Sequence, residues 1–351
     1  MIKPCVDYWF FGLYGQNIPR QIKVLSFLCI EIQTFMLGIV YKSTGSWYTV
    51  KTDDGDIYEC RIKGKFRMKG IKSTNPIAVG DLVVFEVEQI GDETVGVISK
   101  IEDRKNYIIR KSVKLSKQTH IIAANIDQVF LLVTLKNPRT YTIFIDRFLA
   151  SSEAYDIKTV LLFNKVDMYN GDELAEVKYL AALYREIGYT CIGISAKTGK
   201  NVDKVKDMMK EHTSMFAGHS GVGKSTLINS IAPELNIKTT EISDQHFQGQ
   251  HTTTFAEMYD LNFGARIIDT PGIKGFGMVD MDKYEIGDYF PEFFRLKGNC
   301  KFNNCLHLDE PKCAVKAALD KDEVAWSRYR SYVQIVTGDE DTYRMDNYEE
   351  V

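Results

Sequence analysis

The residue types and spacing at positions 218–225 are those needed to hold a phosphate group. The segment, Gly-His-Ser-Gly-Val-Gly-Lys-Ser, fits the pattern Gly-x-x-x-x-Gly-Lys-Ser/Thr. Its glycines let successive backbone N–H groups turn toward an anion. Lys224 would place its ammonium against the β- and γ-phosphates of a nucleotide, and Ser225 would offer its hydroxyl to Mg²⁺. The predicted nucleotide contacts are Gly218, His219, Ser220, Gly221, Val222, Gly223, Lys224, Ser225 and Thr226.

A second segment, residues 267–272, could respond to the terminal phosphate. It is an apolar strand that ends in Asp-Thr-Pro-Gly. Asp269 would hold Mg²⁺ through water, and the amide of Gly272 would contact the γ-phosphate. The pattern Asp-x-x-Gly is weak alone, but its place after the phosphate loop supports a nucleotide site.

A third segment, residues 159–167, indicates which base is bound. Its apolar run ends in Asn-Lys-Val-Asp, at the carboxyl end of a strand, where parallel sheets bind ligands. Asp167 can accept from both the ring N–H and the exocyclic amine of guanine, whereas adenine would leave it poorly paired. Asn164 would brace the loop, Lys165 would lie along the base, and the Ala196 amide could donate to the guanine carbonyl. The predicted base contacts are Asn164, Lys165, Asp167, Ser195, Ala196 and Lys197.

A polar segment at residues 248–254 is typical of a mobile switch. Its sequence is Gln-Gly-Gln-His-Thr-Thr-Thr, and it precedes the second phosphate-sensing segment. Thr253 would offer a hydroxyl to Mg²⁺, with Thr252 as the second choice. The alternative is a threonine-rich turn before a strand at 255–261.

The position that orients the attacking water departs from the usual pattern. Many G proteins have a glutamine directly after Asp-x-x-Gly, but Ile273 stands there and cannot hydrogen-bond water. Hydrolysis by the protein alone should therefore be slow. His251 could accept from the water instead, because an imidazole is a base near neutral pH. The alternative is an exposed histidine without a catalytic role.

Four potential metal ligands cluster near the C-terminus. They are Cys300, Cys305, His307 and Cys313. Three thiolates and one imidazole make a closed tetrahedral Zn²⁺ site of the structural kind. The short loops between these residues suit a metal better than a redox pair or chance clustering. The other cysteines are scattered and are interpreted as small apolar residues.

The region from 37 to 102 alternates apolar and polar residues in five short runs separated by turn signals. This pattern predicts a small antiparallel barrel, most economically an OB-fold. The loop between its third and fourth strands is rich in lysine and arginine, which suggests RNA binding. The alternative is a solvated loop that keeps an edge strand soluble. The RNA-binding candidates are Arg61, Lys63, Lys65, Arg67, Lys69 and Lys72.

The remaining elements alternate in type. Predicted strands lie at 126–134, 159–163 and 192–194, and predicted helices at 143–155, 173–187 and 202–209. This rhythm indicates a parallel sheet covered on both faces. A helical stretch at 314–336 is predicted after the cysteine cluster. The fold class is thus an N-terminal all-β barrel, a central α/β domain with a phosphate-binding loop, and a mainly helical C-terminal zinc-binding domain.

Composition sets further limits. The chain has 351 residues, of which 44% are hydrophobic, which is enough for two or three domains with cores. The formal net charge of −3 means that RNA contacts must come from local patches. The absence of a long uninterrupted apolar run argues against a membrane span. The predicted divisions are 1–35 as a disordered extension or start-site artefact, 36–107 as the barrel, 108–279 as the nucleotide domain, and 280–351 as the zinc domain with an acidic tail.

The order of these motifs resembles that of the RsgA (YjeQ) family of circularly permuted, ribosome-associated GTPases. In ordinary G proteins the phosphate loop comes first, whereas here it follows Asn-Lys-Val-Asp and Ser-Ala-Lys and precedes His-Thr-Thr-Thr and Asp-Thr-Pro-Gly. The resemblance covers about residues 36–336 and includes the barrel and the Cys-x₄-Cys-x-His-x₅-Cys cluster. Two departures are Gln250, where the family usually has arginine, and the leader at 1–35.

The resemblance implies a Mg²⁺-dependent GTPase that forms GDP and phosphate slowly alone and faster with the small ribosomal subunit. It also implies a late role in that subunit's assembly, ribosomal RNA contacts by the barrel and the Zn²⁺ domain, and a catalytic role for His251. We expect a cytoplasmic monomer without membrane contact. The alternatives are a GTP-switched protein that acts on a non-ribosomal RNA, and a metabolic or signalling NTPase in which the barrel and zinc are only structural.

Overall fold

The computed structural model of this chain describes residues 35–63, 76–91, 93–111, 119–235, 256–269 and 282–338. At residues 90, 109–111, 119, 120 and 269 the description covers the backbone alone. Apart from Phe35, the extension predicted at residues 1–35 lies outside these ranges.

Five strands close into a barrel: β1 (Met36–Ser43), β2 (Tyr48–Thr52), β3 (Ile57–Ile62), β4 (Leu82–Ile90) and β5 (Glu93–Ile101). β1 pairs with both β2 and β4, and β3 runs parallel to β5, so the sheet returns on itself. Because side chains alternate between the two faces of a strand, one set fills the interior, where Val40, Val50 and Phe85 are fully buried. The predicted five-stranded barrel is confirmed.

A hairpin that was not predicted follows the barrel. β6 (Tyr107–Lys111) pairs antiparallel with β7 (Thr119–Ala124), and Val79 of the barrel region forms a bridge to Ala123. Ile108 and Ala123 are buried. The basic residues of this region obscured the alternation that marks a strand.

The central sheet has the strand order β10-β9-β8-β11-β13-β12. The bounds are β8 (Gln128–Val133), β9 (Lys158–Phe163), β10 (Thr190–Gly193), β11 (Thr213–Ala217), β12 (Glu257–Asp260) and β13 (Arg266–Asp269). These strands are parallel except for β12, which is antiparallel to β13. β8 and β11 are buried along their whole length, as expected for strands covered on both faces. The predicted parallel sheet is confirmed.

The described α-helices are α1 (Thr142–Ala154), α2 (Gly171–Ile187), α3 (Val202–Met209), α4 (Lys224–Ile231), α5 (Pro291–Lys297), α6 (Ala314–Leu319) and α7 (Trp326–Thr337). α1 and α2 bury apolar side chains such as Phe148 and Val177 in one core of the sheet. α3 and α4 bury Val205 and Leu227 in a second core. Within the described ranges, no helix is both long and apolar enough to cross a membrane.

The helical stretch predicted at 314–336 is interrupted, which corrects that prediction. α6 ends at Leu319 and α7 begins only at Trp326. Asp322, in the polar segment between them, has a φ of 59°, a left-handed conformation that cannot continue a right-handed helix. After the break, Tyr332 of α7 packs on Phe293 of α5 with ring centroids 4.9 Å apart.

The barrel contacts the central sheet where β1 pairs antiparallel with β12. Asp260, at the end of β12, accepts a hydrogen bond from Tyr41 at 2.7 Å and pairs with Lys51 at 2.5 Å. Arg266 lies 3.5 Å from the same carboxylate. Burial opposes ionisation, but the hydrogen bonds from Lys51 and Tyr41 hold the pKa of Asp260 below its usual value. This carboxylate therefore links the barrel to the strand pair β12–β13.

Replacing Asp260 with asparagine should destabilise the protein at neutral pH but not in acid. A carboxylate with a depressed pKa contributes stability above its unfolded-state pKa, about 3.9, and loses it as the pH falls through the folded-state value. Because these pairs are partly exposed, we expect a loss of about 0.5–1 kcal/mol near neutrality. Urea unfolding of both proteins, from neutral pH down to about pH 3, measures the difference. Equal destabilisation across this range would contradict the prediction.

Candidate nucleotide and metal sites

The phosphate-binding sequence lies between β11 and α4, at the carboxyl end of β11. Gly218 and Gly223 have φ values of 137° and 99°, which residues with side chains rarely adopt. A Cβ on Gly218 would lie 2.7 Å from the carbonyl oxygen of Leu132, and a Cβ on Gly223 would lie 2.5 Å from Nδ2 of Asn164. Both positions therefore require glycine for the loop to close against its neighbours.

The side chain of Lys224 folds over this loop. Its Nζ donates to the carbonyl oxygens of Gly218 at 2.6 Å and His219 at 2.7 Å. Ser225 follows it in the first turn of α4, whose free N–H groups and positive dipole end face the loop. An ammonium, a helix N-terminus and a glycine-rich backbone together provide the chemistry that binds phosphate.

The buried side chain of Asn164 joins two separate segments to the end of β9. Its Nδ2 donates to the carbonyl oxygen of Val222 at 2.8 Å, and its Oδ1 accepts from the amide of Ala196 at 3.0 Å. Its own carbonyl oxygen accepts from the hydroxyl of Tyr169 at 2.8 Å. The bracing predicted for Asn164 thus takes the form of one amide that bridges the phosphate loop and the Ser-Ala-Lys segment.

Lys165 extends along the same edge. It has a φ of 66°, and its Nζ donates to the carbonyl oxygens of Gly221, at 2.8 Å, and Asn137. Burial lowers the pKa of Lys165, against the opposing effect of the Asp167 carboxylate. Asp167 lies in a 3₁₀ turn at residues 166–168 and is exposed, so its carboxylate is open to solvent beside the loop.

Ser195 shapes the third loop at this edge. The buried hydroxyl oxygen of Ser195 accepts from the amide of Thr198 at 3.1 Å, and the carbonyl oxygen of Ser195 accepts from Gly199. These bonds fold the loop after β10 so that Ala196 is buried and Lys197 is exposed. The structure therefore brings 164–167, 195–197 and 218–225 together at one edge of the sheet.

Several predicted site residues lie outside the described part of the chain. They are His251, Thr252 and Thr253 of the predicted switch, together with Gly272 and Ile273. Asp269 is described by its backbone and ends β13. Because β13 pairs with β11, the backbone at Asp269 lies one strand away from the strand that leads into the phosphate loop.

Cys300, Cys305, His307 and Cys313 lie together. Their potential ligand atoms are all within 4.8 Å of one another. Nδ1 of His307 is 3.4 Å from Sγ of Cys313 and 3.7 Å from Sγ of Cys300. Zinc–sulfur and zinc–nitrogen bonds of about 2.3 and 2.0 Å at a tetrahedral angle put such atoms about 3.5 Å apart. The arrangement could therefore hold a tetrahedral metal ion.

The loop around these ligands is held by its own hydrogen bonds. The carboxylate of Glu310 accepts from the amides of Leu306 and Leu308, both at 2.9 Å. The amide of Ala314 donates to Sγ of Cys300 at 3.4 Å, a contact that stabilises a thiolate. Burial raises the pKa of Cys305 to about 12, so a bound cation would be needed to keep this thiol deprotonated at neutral pH.

The basic candidates of the barrel are described only in part. Arg61 lies 3.3 Å from Glu88, and Lys63 lies 3.9 Å from the buried Glu86. Lys65, Arg67, Lys69 and Lys72 are outside the described residues. The two described cations thus have acidic neighbours, and RNA binding by this surface stays a prediction.

Two contacts near these sites were not anticipated. The ring of Phe144 in α1 lies against the ring of His219, and Arg328 of α7 pairs with Asp146 of α1. Aromatic and arginine residues at helical spacing give no sequence signal for a partner that is far away in the chain. The apolar spacing of 143–155 predicted the helix but not these contacts.

Two family models match the chain. The model for the RsgA GTPase matches residues 101–279, and the model for the RsgA N-terminal domain matches residues 37–98. The small ribosomal subunit biogenesis GTPase RsgA of Christiangramia forsetii is 72% identical over 314 residues, which are 90% of this chain and 100% of the relative. The protein of the same name from Flavobacterium johnsoniae is 65% identical over 315 residues, 90% of this chain and 97% of the relative.

Solved structures have the same fold. YjeQ from Thermotoga maritima is 35% identical with a TM-score of 0.70, and the match covers 87% of this chain and 98% of that protein. YloQ, a circularly permuted GTPase, is 29% identical with a TM-score of 0.67, and the match covers 91% of this chain and 99% of that protein. The rotated motif order therefore coincides with a known circularly permuted architecture.

Replacing Asn164 with alanine should weaken nucleotide binding, whereas the loss of an asparagine amide away from the site should not. The substitution would leave the carbonyl oxygen of Val222 and the amide of Ala196 without their partner, and each unpaired buried group costs about 1–3 kcal/mol of stability. We therefore expect a rise of about tenfold or more in the Kd for a fluorescent guanine nucleotide. Asn170→Ala is the matched control, because it removes an amide that caps α2. Similar Kd values for the two variants would contradict the prediction.

Proposed function

The chain belongs to the RsgA family of GTP-hydrolysing enzymes, and on that basis we propose that it hydrolyses GTP to GDP and phosphate on the small ribosomal subunit, late in that subunit's assembly. The observation that carries the proposal is the bridge that Asn164 forms between Val222 and Ala196. This bridge supports the assembly of the phosphate and base motifs into one site despite their rotated order. The relatives' names support the ribosomal role.

We assign the phosphates to the loop 218–225, with Lys224 as the cation that compensates their charge and the backbone amides as donors. Lys224 donates to carbonyl oxygens of its own loop. A phosphate, as a charged acceptor, would compete with these oxygens for the ammonium of Lys224. We assign guanine to Asp167, since its exposed carboxylate can accept two donors from that base. Lys165 would then pack its aliphatic stem on the base while its ammonium stays on Gly221.

We assign Mg²⁺ to Ser225, Thr253 and Asp269, which offer the hard oxygen ligands that this ion prefers. Bound there, the ion would neutralise charge on the β- and γ-phosphates. Ser225 lies in the first turn of α4 next to Lys224, and Asp269 ends the strand next to β11, so these two positions support the assignment. Thr253 comes from the predicted switch.

We assign the orientation of the attacking water to His251. Ile273 has no hydrogen-bonding group, so another group must orient the water. His251 is the candidate in the switch sequence, because an imidazole can accept a proton from water near neutral pH. The low activity that this implies for the protein alone agrees with stimulation by a partner.

We further propose that the Cys₃His cluster holds one structural Zn²⁺ and that the barrel, 36–107, and the zinc domain, 280–351, contact ribosomal RNA. The four ligands surround the ion and would leave no open position. We also propose that the protein acts on the ribosomal subunit as a cytoplasmic monomer. Action on a non-ribosomal RNA is the alternative outcome of the test below.

GTP hydrolysis should be stimulated by small ribosomal subunits and confined to guanine nucleotides. Steady-state phosphate release is measured with the protein alone and with stoichiometric subunits, using GTP and ATP. Asp167→Asn replaces one of the two acceptor oxygens by an NH₂ donor, so we expect at least about a hundredfold loss of selectivity for GTP. The same variant should accept xanthosine triphosphate, whose carbonyl replaces the exocyclic amine of guanine.

Stimulation by the subunit tests the ribosomal role, whereas the effect of Asp167→Asn on nucleotide selectivity tests the base assignment. GTP binding without subunit stimulation would overturn the ribosomal role and favour another RNA. Equal turnover of ATP and GTP would overturn the base assignment.

Replacing Cys305 with serine should weaken metal binding and loosen the C-terminal helices. The variant keeps the size of the side chain but replaces a soft thiolate by a poor ligand for zinc. We expect about one Zn²⁺ per wild-type chain and at least a tenfold loss of affinity in the variant, measured by elemental analysis and chelator competition. Cys191→Ser, at a buried cysteine apart from the cluster, is the control. Equal zinc affinity in all three proteins would contradict the assignment.

A further inference from the structure

Helix α1 contacts the phosphate loop at its first turn. The ring of Phe144 lies 3.9 Å from the ring of His219, centroid to centroid, with the planes at 34°. Phe144 is 9% exposed, so this contact is mostly shielded from solvent. The carbonyl oxygen of His219 accepts from Lys224. A shift of α1 would therefore move a residue that is bonded to the phosphate-binding lysine.

The same helix is held by the C-terminal region through a buried ionic cluster. Nη1 of Arg328 in α7 lies 2.8 Å from Oδ1 of Asp146, and its Nε lies 2.7 Å from Glu292 in α5. Tyr184 of α2 donates to the same oxygen of Asp146 at 2.8 Å. Arg328 and Asp146 are both fully buried. Burial alone would lower the pKa of Arg328, but the two carboxylates raise it well above its usual value, so the guanidinium stays charged.

Helix α7 in turn holds the metal-bearing loop. Tyr329, the residue after Arg328, donates its hydroxyl to the carbonyl oxygen of His307 at 2.8 Å. Tyr332, one turn later, donates to the carbonyl oxygen of Leu306 at 2.7 Å. Both acceptors lie in the segment that carries the histidine ligand. Continuous contacts thus run from the phosphate loop through α1 and α7 to the metal loop.

We propose that Phe144 is a positioning residue for the phosphate loop, and that its place is set by the metal-bearing loop through the Asp146–Arg328 pair. The proposal rests on the assignment of residues 218–225 to the phosphates of GTP. A buried charge pair and packed aromatic rings have few alternative arrangements, so they transmit a displacement rather than absorb it. A partner that binds the C-terminal domain would then alter nucleotide binding without touching the nucleotide.

Such coupling must act in both directions, because it is a free energy shared by two sites. Metal-loop contacts should raise the affinity for nucleotide, and bound nucleotide should raise the affinity for the metal. We expect both changes in affinity to be expressed mainly as slower release. Typical couplings change an affinity at least about fivefold. Each direction has its own readout, and neither readout requires GTP hydrolysis.

The first measurement is the rate at which the full-length, zinc-loaded protein releases a fluorescent GDP. We expect a variant with both Tyr329→Phe and Tyr332→Phe to release it about fivefold faster, with unchanged zinc content. Tyr48→Phe is the control, because it removes a hydroxyl that bonds Gly45 in the barrel. In a Phe144→Leu background the two tyrosine changes should have no further effect, since the connection is already broken.

The second measurement is the rate at which a coloured chelator extracts zinc, with and without GDP. GDP should slow extraction about fivefold in the wild type and not in Phe144→Leu. The metal ligands are intact in that variant. Additive effects of the phenylalanine and tyrosine changes, or equal protection of zinc by GDP in Phe144→Leu, would overturn the inference while leaving the proposed function intact. Absence of guanine-nucleotide binding by the wild type would overturn both.

Discussion

The buried amide of Asn164 donates to the carbonyl oxygen of Val222 and accepts from the amide of Ala196. Each of these groups belongs to a different loop, and each loop follows a different strand of one parallel sheet. Since a buried polar group without a partner is costly, the three loops keep one mutual arrangement. The predicted phosphate loop, the predicted base-reading loop and the Ser-Ala-Lys loop are therefore held together at one edge of the sheet, chiefly by this side chain. The close approach of Gly223 to Asn164 adds a steric reason for the same arrangement.

The rotated order of the motifs leaves this site intact, because strand pairing does not depend on where the chain begins. β8, β9 and β10 precede the phosphate loop in sequence, yet β8 pairs directly with β11. Rotation instead changes what is attached to the ends of the nucleotide domain. The barrel is joined ahead of β8 and also pairs with β12 through β1. The region with the Cys₃His cluster follows the predicted phosphate-sensing segment at 267–272, and it packs on α1 through Arg328.

The two flanking regions reach the nucleotide domain by different chemistry. Asp260 connects the barrel through partly exposed pairs with Tyr41 and Lys51, which are weak and sensitive to salt. Arg328 connects the C-terminal region through a fully buried cluster with Asp146 and Glu292, in which the loss of one partner leaves a charge without solvation. The barrel junction is therefore suited to small adjustments, whereas the C-terminal junction has one well-defined arrangement.

Motifs whose chemistry is local were evident in the sequence. The phosphate loop, Asn-Lys-Val-Asp, the Cys₃His cluster, the five barrel strands and the helices at 143–155, 173–187 and 202–209 all depend on spacing within a few residues. The hairpin β6–β7 and the break between α6 and α7 were not evident, because basic residues and a left-handed turn obscured the local pattern. The contacts of Phe144 with His219 and of Asp146 with Arg328 were decided only by tertiary structure. Their partners are far apart in the chain, and the Asp146–Arg328 pair spans 182 residues. Local spacing encodes elements and ligand sets, whereas the choice of partner across the core is decided by packing and by the need to neutralise buried charge.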